Sequence, residues 1–227
     1  MRDFAGRTAF VTGGANGVGI GIVRTLLNEG CKVAIADIRQ DAIDQALASL
    51  DNREVMGIQL DVASRGDFAR AAEEVEAKFG PVSIVVNNAG VNLFQTIEES
   101  SYDDWDWLLG VNLHGVINGV QTFVPRMVER VKTGEQVGGH VINTASMAGF
   151  LSSGSPGIYN TTKAAVRKTA TRRTKAKKSA SRKTASRRVS TRRRAGARKT
   201  TARKSARRAK KAPSRKPGSR RAATRKK

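Results

Sequence analysis

Five short runs of apolar, mostly β-branched residues recur along the chain: "RTAFVT" (7–12), "KVAIAD" (32–37), "VMGIQLD" (55–61), "VSIVVNN" (82–88) and "HVINTAS" (140–146). Runs that are apolar almost throughout, rather than alternating, read as strands buried on both faces. Between them the apolar positions recur at helical spacing. One helix follows a glycine cluster, with Val18, Ile22, Val23, Leu26 and Leu27 on one face and Gly30 as a stop signal. Others run through "QDAIDQALASL", "GDFARAAEEVEAKFG" and a long stretch from about Tyr102 to Lys132. Strands alternating with helices predict an α/β fold: a doubly wound, Rossmann-like parallel sheet with right-handed crossovers. In such a sheet, ligands sit at the carboxyl ends of the strands.

The pattern stops after Lys163. Residues 164–227 are a low-complexity Lys/Arg/Ser/Thr/Ala tail whose only aliphatic residues besides alanine are Val166 and Val189, with no aromatic residue. The excess positive charge resides there: the tail holds 29 of the 42 Lys and Arg and none of the 19 acidic residues, which outweighs the acidic remainder and gives the chain its formal net charge of +23. Residues 1–163 form a mildly acidic segment long enough for one domain with a sizeable core. The tail cannot bury enough surface to offset chain entropy, so it is expected to be disordered. A polycationic arm without aromatics suits non-specific nucleic-acid binding through counterion release.

Other composition signals narrow the setting. "MRDFAGRTAF" has no apolar signal-peptide core, and no stretch of ~20 apolar residues could span a bilayer. A cytoplasmic protein without a membrane partner is expected. The single cysteine, Cys31, excludes an internal disulfide, fits a reducing compartment and reads as a small buried hydrophobe. His114 and His140 lack a metal-ligand pattern, so no metal is expected. Trp105 and Trp107 in "YDDWDW" are expected to pack the start of the long helix, with a substrate role as the lesser reading.

The candidate chemistry begins at "TGGANGVG" (12–19), which closes the first strand and opens the first helix. Gly13, Gly17 and Gly19 remove side chains where backbone would approach a pyrophosphate, and the helix N-terminus offers free N–H groups and partial positive charge. Asn16 and Val18, between these glycines, are counted in the same cofactor-binding set. Asp37 ends the second strand, where a carboxylate can accept hydrogen bonds from ribose hydroxyls and repel a 2′-phosphate. Arg39 lies close enough in sequence to accommodate that phosphate instead. The reading favours NAD over NADP.

By "NNAG" (87–90) the motifs add up to a family. The chain resembles the short-chain dehydrogenase/reductase family over residues 1–163. "TGGANGVG" is similar to its T-G-x-x-x-G-x-G loop, Asp61 and Val62 of "LDV" to its adenine contact, and Asn88, Ala89 and Gly90 to its N-A-G turn beneath the cofactor. Asn112 in "VNLHG" falls at its helix asparagine. Ser146 in "NTASMAG", then Tyr159 and Lys163, resemble its S…Y-x-x-x-K catalytic set. Tyr159 and Lys163 are four apart, hence on one helix face. An ammonium beside a phenol favours the phenolate, which makes such a tyrosine a plausible general acid/base.

The resemblance implies an NAD(P)-dependent oxidoreductase acting on a small alcohol or ketone. Ser146 would bond the substrate oxygen, Lys163 would reach the nicotinamide ribose, and Asn112 would hold a water in a proton relay. The family also sets a precedent for homo-oligomers.

Family members continue past the lysine with an apolar helix, a further strand and a substrate-covering segment. Here Ala164 onward supplies no comparable apolar helix face. The domain therefore reads as truncated, with impaired turnover, an unprotected "HVINTAS" edge and low stability expected. The tail resembles those of linker-histone-like bacterial proteins; a native arm, a fusion or aberrant coding sequence, and a bare solvated run are its three readings. The alternative function is a nucleic-acid-binding protein with an inactive scaffold.

Overall fold

The computed structural model describes residues 4–50, 54–150 and 155–167. Its five strands are β1 (Thr8–Thr12), β2 (Lys32–Asp37), β3 (Val55–Gln59), β4 (Val82–Asn87) and β5 (His140–Asn143). They coincide with the five apolar runs and form one parallel sheet in the order β3-β2-β1-β4-β5. The doubly wound α/β class is thus what the chain adopts. The winding reverses between β1 and β4, so a crevice opens at their carboxyl ends, where such folds bind ligands.

The helices are α1 (Gly17–Asn28), α2 (Gln40–Leu50), α3 (Arg65–Phe79), α4 (Tyr102–Leu109) and α5 (Gly115–Thr133), with residues 157–167 also helical. The first three fall where the periodicity puts them. The expected single helix from Tyr102 to Lys132 does not: a π-helical segment, Gly110–His114, separates α4 from α5. Its centre is Asn112, fully buried, whose side chain bonds the backbone of Val91 and the hydroxyl of Thr162. Wide turns of this kind appear where a helix must turn one side chain into a site.

Each face of the sheet has its own core. Phe10, Val82 and Val85 pack with Phe68, Val75, Phe123 and Met127 beneath α3 and α5, with the Phe10 and Phe123 ring centroids 4.8 Å apart. Val11, Ile35, Ile84 and Val86 pack with Val23 and Ile43 beneath α1 and α2. Cys31 is buried as expected; its thiol donates to the Phe4 carbonyl, and burial pushes its pKa up.

A charged tie joins α3 to α5. Arg130 and Arg126 both bond Glu76, the latter at 2.9 Å. Burial alone would raise the Glu76 carboxyl, but the hydrogen bonds and charges of the two guanidinium groups outweigh it and hold it below its ordinary value.

β5 is built differently. Its residues alternate between exposed and half-buried, and Ile142 is 51% exposed. Beyond it, the helix carrying Tyr159 continues through 167 and buries Val166 to 2% exposure. That corrects the expectation that Ala164 onward supplies no apolar helix face: Val166, aided by Arg167, extends the folded unit past Lys163. Arg167 Nε donates to the Gly149 carbonyl at 3.2 Å, and its guanidinium lies 4.1 Å from the Phe150 ring centroid. The expected disorder of the tail and its histone-like character fall, from 168 onward, outside the described residues.

Candidate active site

A cleft of about 740 Å³ opens at the carboxyl ends of β1, β2, β4 and β5. Every residue expected to bind cofactor lines it: Gly13, Asn16, Gly17, Val18 and Gly19 from the glycine loop, Asp37, Asp61 and Val62, Asn88, Ala89 and Gly90, and Tyr159 with Lys163. Arg39 lines it too.

The glycines divide into two kinds. A Cβ on Gly13 would stand 2.9 Å from the Ala89 Cα, and one on Gly19 would run into the Gly13 carbonyl. These two are required by the protein's own packing rather than by room for a ligand. Gly17 is the reverse, with φ +52° and open space where a side chain would stand. Asn16 precedes α1 without a side-chain capping bond, which leaves the first-turn amides for another acceptor.

Asp37 is turned toward this loop. One carboxylate oxygen accepts from the Ala15 N–H and the other from the Arg39 N–H, both at 3.3 Å. Asp61 accepts from the Ala63 N–H at 2.9 Å.

Sequence reasoning missed the residue that ties the loop to β4. Thr12 Oγ1 accepts from the backbone N–H groups of Asn88 (3.0 Å) and Ala89 (3.1 Å) and donates to the Val86 carbonyl. Asn88 Nδ2 returns bonds to the carbonyls of Thr12 and Gly13, both at 3.2 Å. A hydroxyl at the last position of the strand, directly before the glycine loop, was the available signal.

The catalytic candidates meet at the other end. Lys163 Nζ lies 5.6 Å from the Tyr159 ring centroid, one helical turn away. Lys163 is 4% exposed; its ammonium donates to the Thr144 carbonyl at 3.1 Å, and desolvation pushes its pKa down. Thr144 is a second residue that the motifs did not single out.

Asn112 is brought close, though its amide is already engaged: Oδ1 accepts from Val91 N–H at 2.8 Å, and Nδ2 donates to Val91 O and to Thr162 Oγ1. A Cβ on Gly90 would be 3.2 Å from Asn112 Oδ1 and 3.3 Å from Lys163 Nζ, so Gly90 lies between them. Ser146 is less closely gathered. Thr144 and Ala145 line the cleft, whereas the Ser146 hydroxyl accepts from the Ala148 N–H and caps the 3-10 turn Met147–Gly149.

Trp107 departs from expectation. Leu108 is the buried anchor of α4 and Trp105 is half-buried, but Trp107 is 47% exposed and lines the cleft. No described helix is long and apolar enough to cross a membrane.

Comparison with known proteins follows the same outline. The short chain dehydrogenase family model matches residues 7–183, twenty residues past the point where the motifs end. A Cα-dehydrogenase of Sphingobium sp. is 45% identical over 168 residues, covering 73% of this chain and 53% of that protein. An NADP-dependent (R)-specific alcohol dehydrogenase of Lentilactobacillus kefiri is 34% identical over 163 residues, covering 71% of this chain and 63% of the other.

Among solved structures, one described as a short-chain dehydrogenase from Novosphingobium aromaticivorans is 80% identical, with a TM-score of 0.73 over 74% of this chain and 62% of that one. A short chain dehydrogenase/reductase from Burkholderia phymatum in complex with NAD is 36% identical, with a TM-score of 0.70 over 74% of this chain and 59% of that one. The chain spans between about half and two thirds of the length of these relatives.

Proposed function

The chain belongs to the short chain dehydrogenase family, and on that premise we propose that it is an NAD-linked oxidoreductase acting on a small alcohol or ketone, with Tyr159 as its general acid/base. The observation that carries this reading is that the glycine loop, Asp37 and the Tyr159–Lys163 pair line a single cleft. The cleft suits a dinucleotide: its volume lies within the usual range of roughly 300–1,000 Å³ for small-molecule sites. Its glycine loop also leaves open space at Gly17 beside uncapped amides at the start of α1.

When bound, the nicotinamide cofactor supplies or accepts the hydride. In this reading the residues of the chain do the rest. First-turn amides of α1, from Gly17 to Gly19, hold the pyrophosphate. Asp37, already oriented by Ala15 and Arg39 N–H groups, accepts from the adenosine ribose hydroxyls. Asp61 and Val62 border the adenine, and Asn88, Ala89 and Gly90 form the floor.

Lys163 would bond the nicotinamide ribose, with its ammonium one helical turn from the Tyr159 ring. Tyr159 gives a proton to the substrate oxygen in reduction and takes it in oxidation. Ser146 keeps a hydroxyl hydrogen with which to bond that same oxygen. Asn112 fixes the Val91 backbone and Thr162, and thereby the ground on which Lys163 rests.

A second activity is favoured by charge alone. The basic segment 164–227, with 29 Lys and Arg and no acid, would bind nucleic acid non-specifically, with affinity falling steeply as salt rises. It lies almost entirely outside the described residues.

Titration of the 227-residue chain with NAD and NADP tests the cofactor assignment. NAD should bind at least tenfold more tightly, a difference of about 1.4 kcal/mol, and Asp37→Ala should narrow the gap. Tighter binding of NADP would shift the credit to Arg39 and reject the preference. Turnover is read with the same protein on a panel of secondary alcohols and ketones.

A further inference from the structure

We propose that Trp107 forms one wall of the adenine subsite, its indole lying against the base of the dinucleotide. The inference rests on the cofactor reading above and adds a binding residue to it. An exposed apolar side chain is common on protein surfaces and needs no explanation by itself. What singles out Trp107 is where its exposed ring stands.

α4 and the π segment run along the loop that joins β3 to α3. A Cβ on Gly110 would lie 3.7 Å from the Ala63 Cβ, and one on Gly115 would press on Val62 at 2.9 Å. Asn118 Nδ2 donates to the carbonyls of Val62 (2.9 Å) and Ala63 (3.3 Å). The helix is therefore seated against the Asp61–Val62 loop. Trp107 and Val111, one turn apart on the same helical face, line the cleft together with Asp61 and Val62.

The opposite border of this end comes from the exit of β2. Ile38 is 61% exposed and lines the cleft, and its carbonyl accepts from Gln59 Nε2 at the end of β3. Ile38 and Trp107 thus line the same cleft as Asp61 and Val62. The lining here combines the apolar side chains of Ile38, Val62, Trp107 and Val111 with the Asp61 carboxylate, which suits a flat heteroaromatic ring bearing an amino group. Among the described residues the paired aromatic rings are those of Phe10 with Phe68 and Phe123, so the Trp107 face has no ring partner among them. Bases stack well on such faces.

The chain has two tryptophans, so Trp105→Phe in the 227-residue protein leaves Trp107 as its one indole. That protein is titrated with AMP, ADP-ribose and ribose 5-phosphate while tryptophan emission and calorimetric heat are followed. AMP and ADP-ribose should change the emission. Ribose 5-phosphate, which carries phosphate and sugar without a base, should not; it controls for charge-driven binding to the basic segment.

Trp107→Ala should weaken ADP-ribose binding between about fivefold and a hundredfold, the span of a base–aromatic stack, and Trp107→Phe should restore most of it. Unchanged emission with saturating ADP-ribose, or unchanged affinity in Trp107→Ala, overturns the proposal and leaves the cofactor reading standing. Failure of both NAD and ADP-ribose to bind the parent overturns the two together.

Discussion

The two ends of the cleft are built by different means. The nucleotide end hangs on β1 and β4, whose residues are buried throughout, inside a core that covers both faces of the sheet. Its loops are fixed by close packing, as between Gly13 and Ala89, and by the paired bonds of Thr12 and Asn88. The catalytic end hangs on β5, where Ile142 is half exposed, and on the helical residues 157–167. There the helix buries Ile158, Thr162 and Val166, and polar contacts add to that packing: Lys163 to the Thr144 carbonyl, Arg167 to the Gly149 carbonyl, Asn112 to Thr162. The lesson is that the strands beneath the glycine loop are covered on both faces, whereas the strand beside the Tyr159–Lys163 pair is partly open to solvent.

The contrast is broken most sharply by stability measurements on each side. Phe10, fully buried between Phe68 and Phe123, should cost about 3–5 kcal/mol on replacement by alanine. Ile142→Ala, on the exposed strand, should stay within about 0.5 kcal/mol of the parent. Denaturant unfolding of the two variants reads both numbers. Equal costs would mean that β5 belongs to the same core as β1, and the distinction would fall.

A smaller effect sharpens the account of the catalytic end. Burial holds the Lys163 ammonium below its ordinary pKa, so the folded chain releases that proton at lower pH than the unfolded chain does. Between the lowered folded value and the ordinary ~10.4, the unfolded state binds more protons and stability rises with pH. Lys163→Met removes that rise and should stabilise the protein by about 1 kcal/mol near neutrality. Melting temperatures of parent and variant across pH 7 to 10 should converge as pH rises; a constant gap would argue against a buried ammonium.

Much of this architecture is legible along the chain because its signals are local. Five apolar runs became five parallel strands, since strands covered on both faces need no polar alternation. The glycine loop and the Tyr159–Lys163 spacing are readable for the same reason. What escaped reading depends on partners far away in sequence. "DWDWLLGVNLHGVING" is helical by its own pattern, and only the bonds of Asn112 to Val91 and Thr162, 21 and 50 residues distant, account for the π segment. Trp107 looked like packing because its neighbour Leu108 is. Val166 and Arg167 open a charged run in the sequence, yet Val166 is buried and Arg167 meets the turn at Gly149 and Phe150.

The measurement that bears most directly on the account is made on Tyr159→Phe in the 227-residue chain. NAD affinity and hydride transfer are followed side by side with a secondary alcohol that the parent oxidises. Because the phenol is assigned to proton transfer and the nucleotide end stands without it, the variant should bind NAD as the parent does and lose turnover by about 10²–10⁴-fold. Turnover that survives the substitution, or NAD binding that is lost with it, would contradict the division of labour between the two ends.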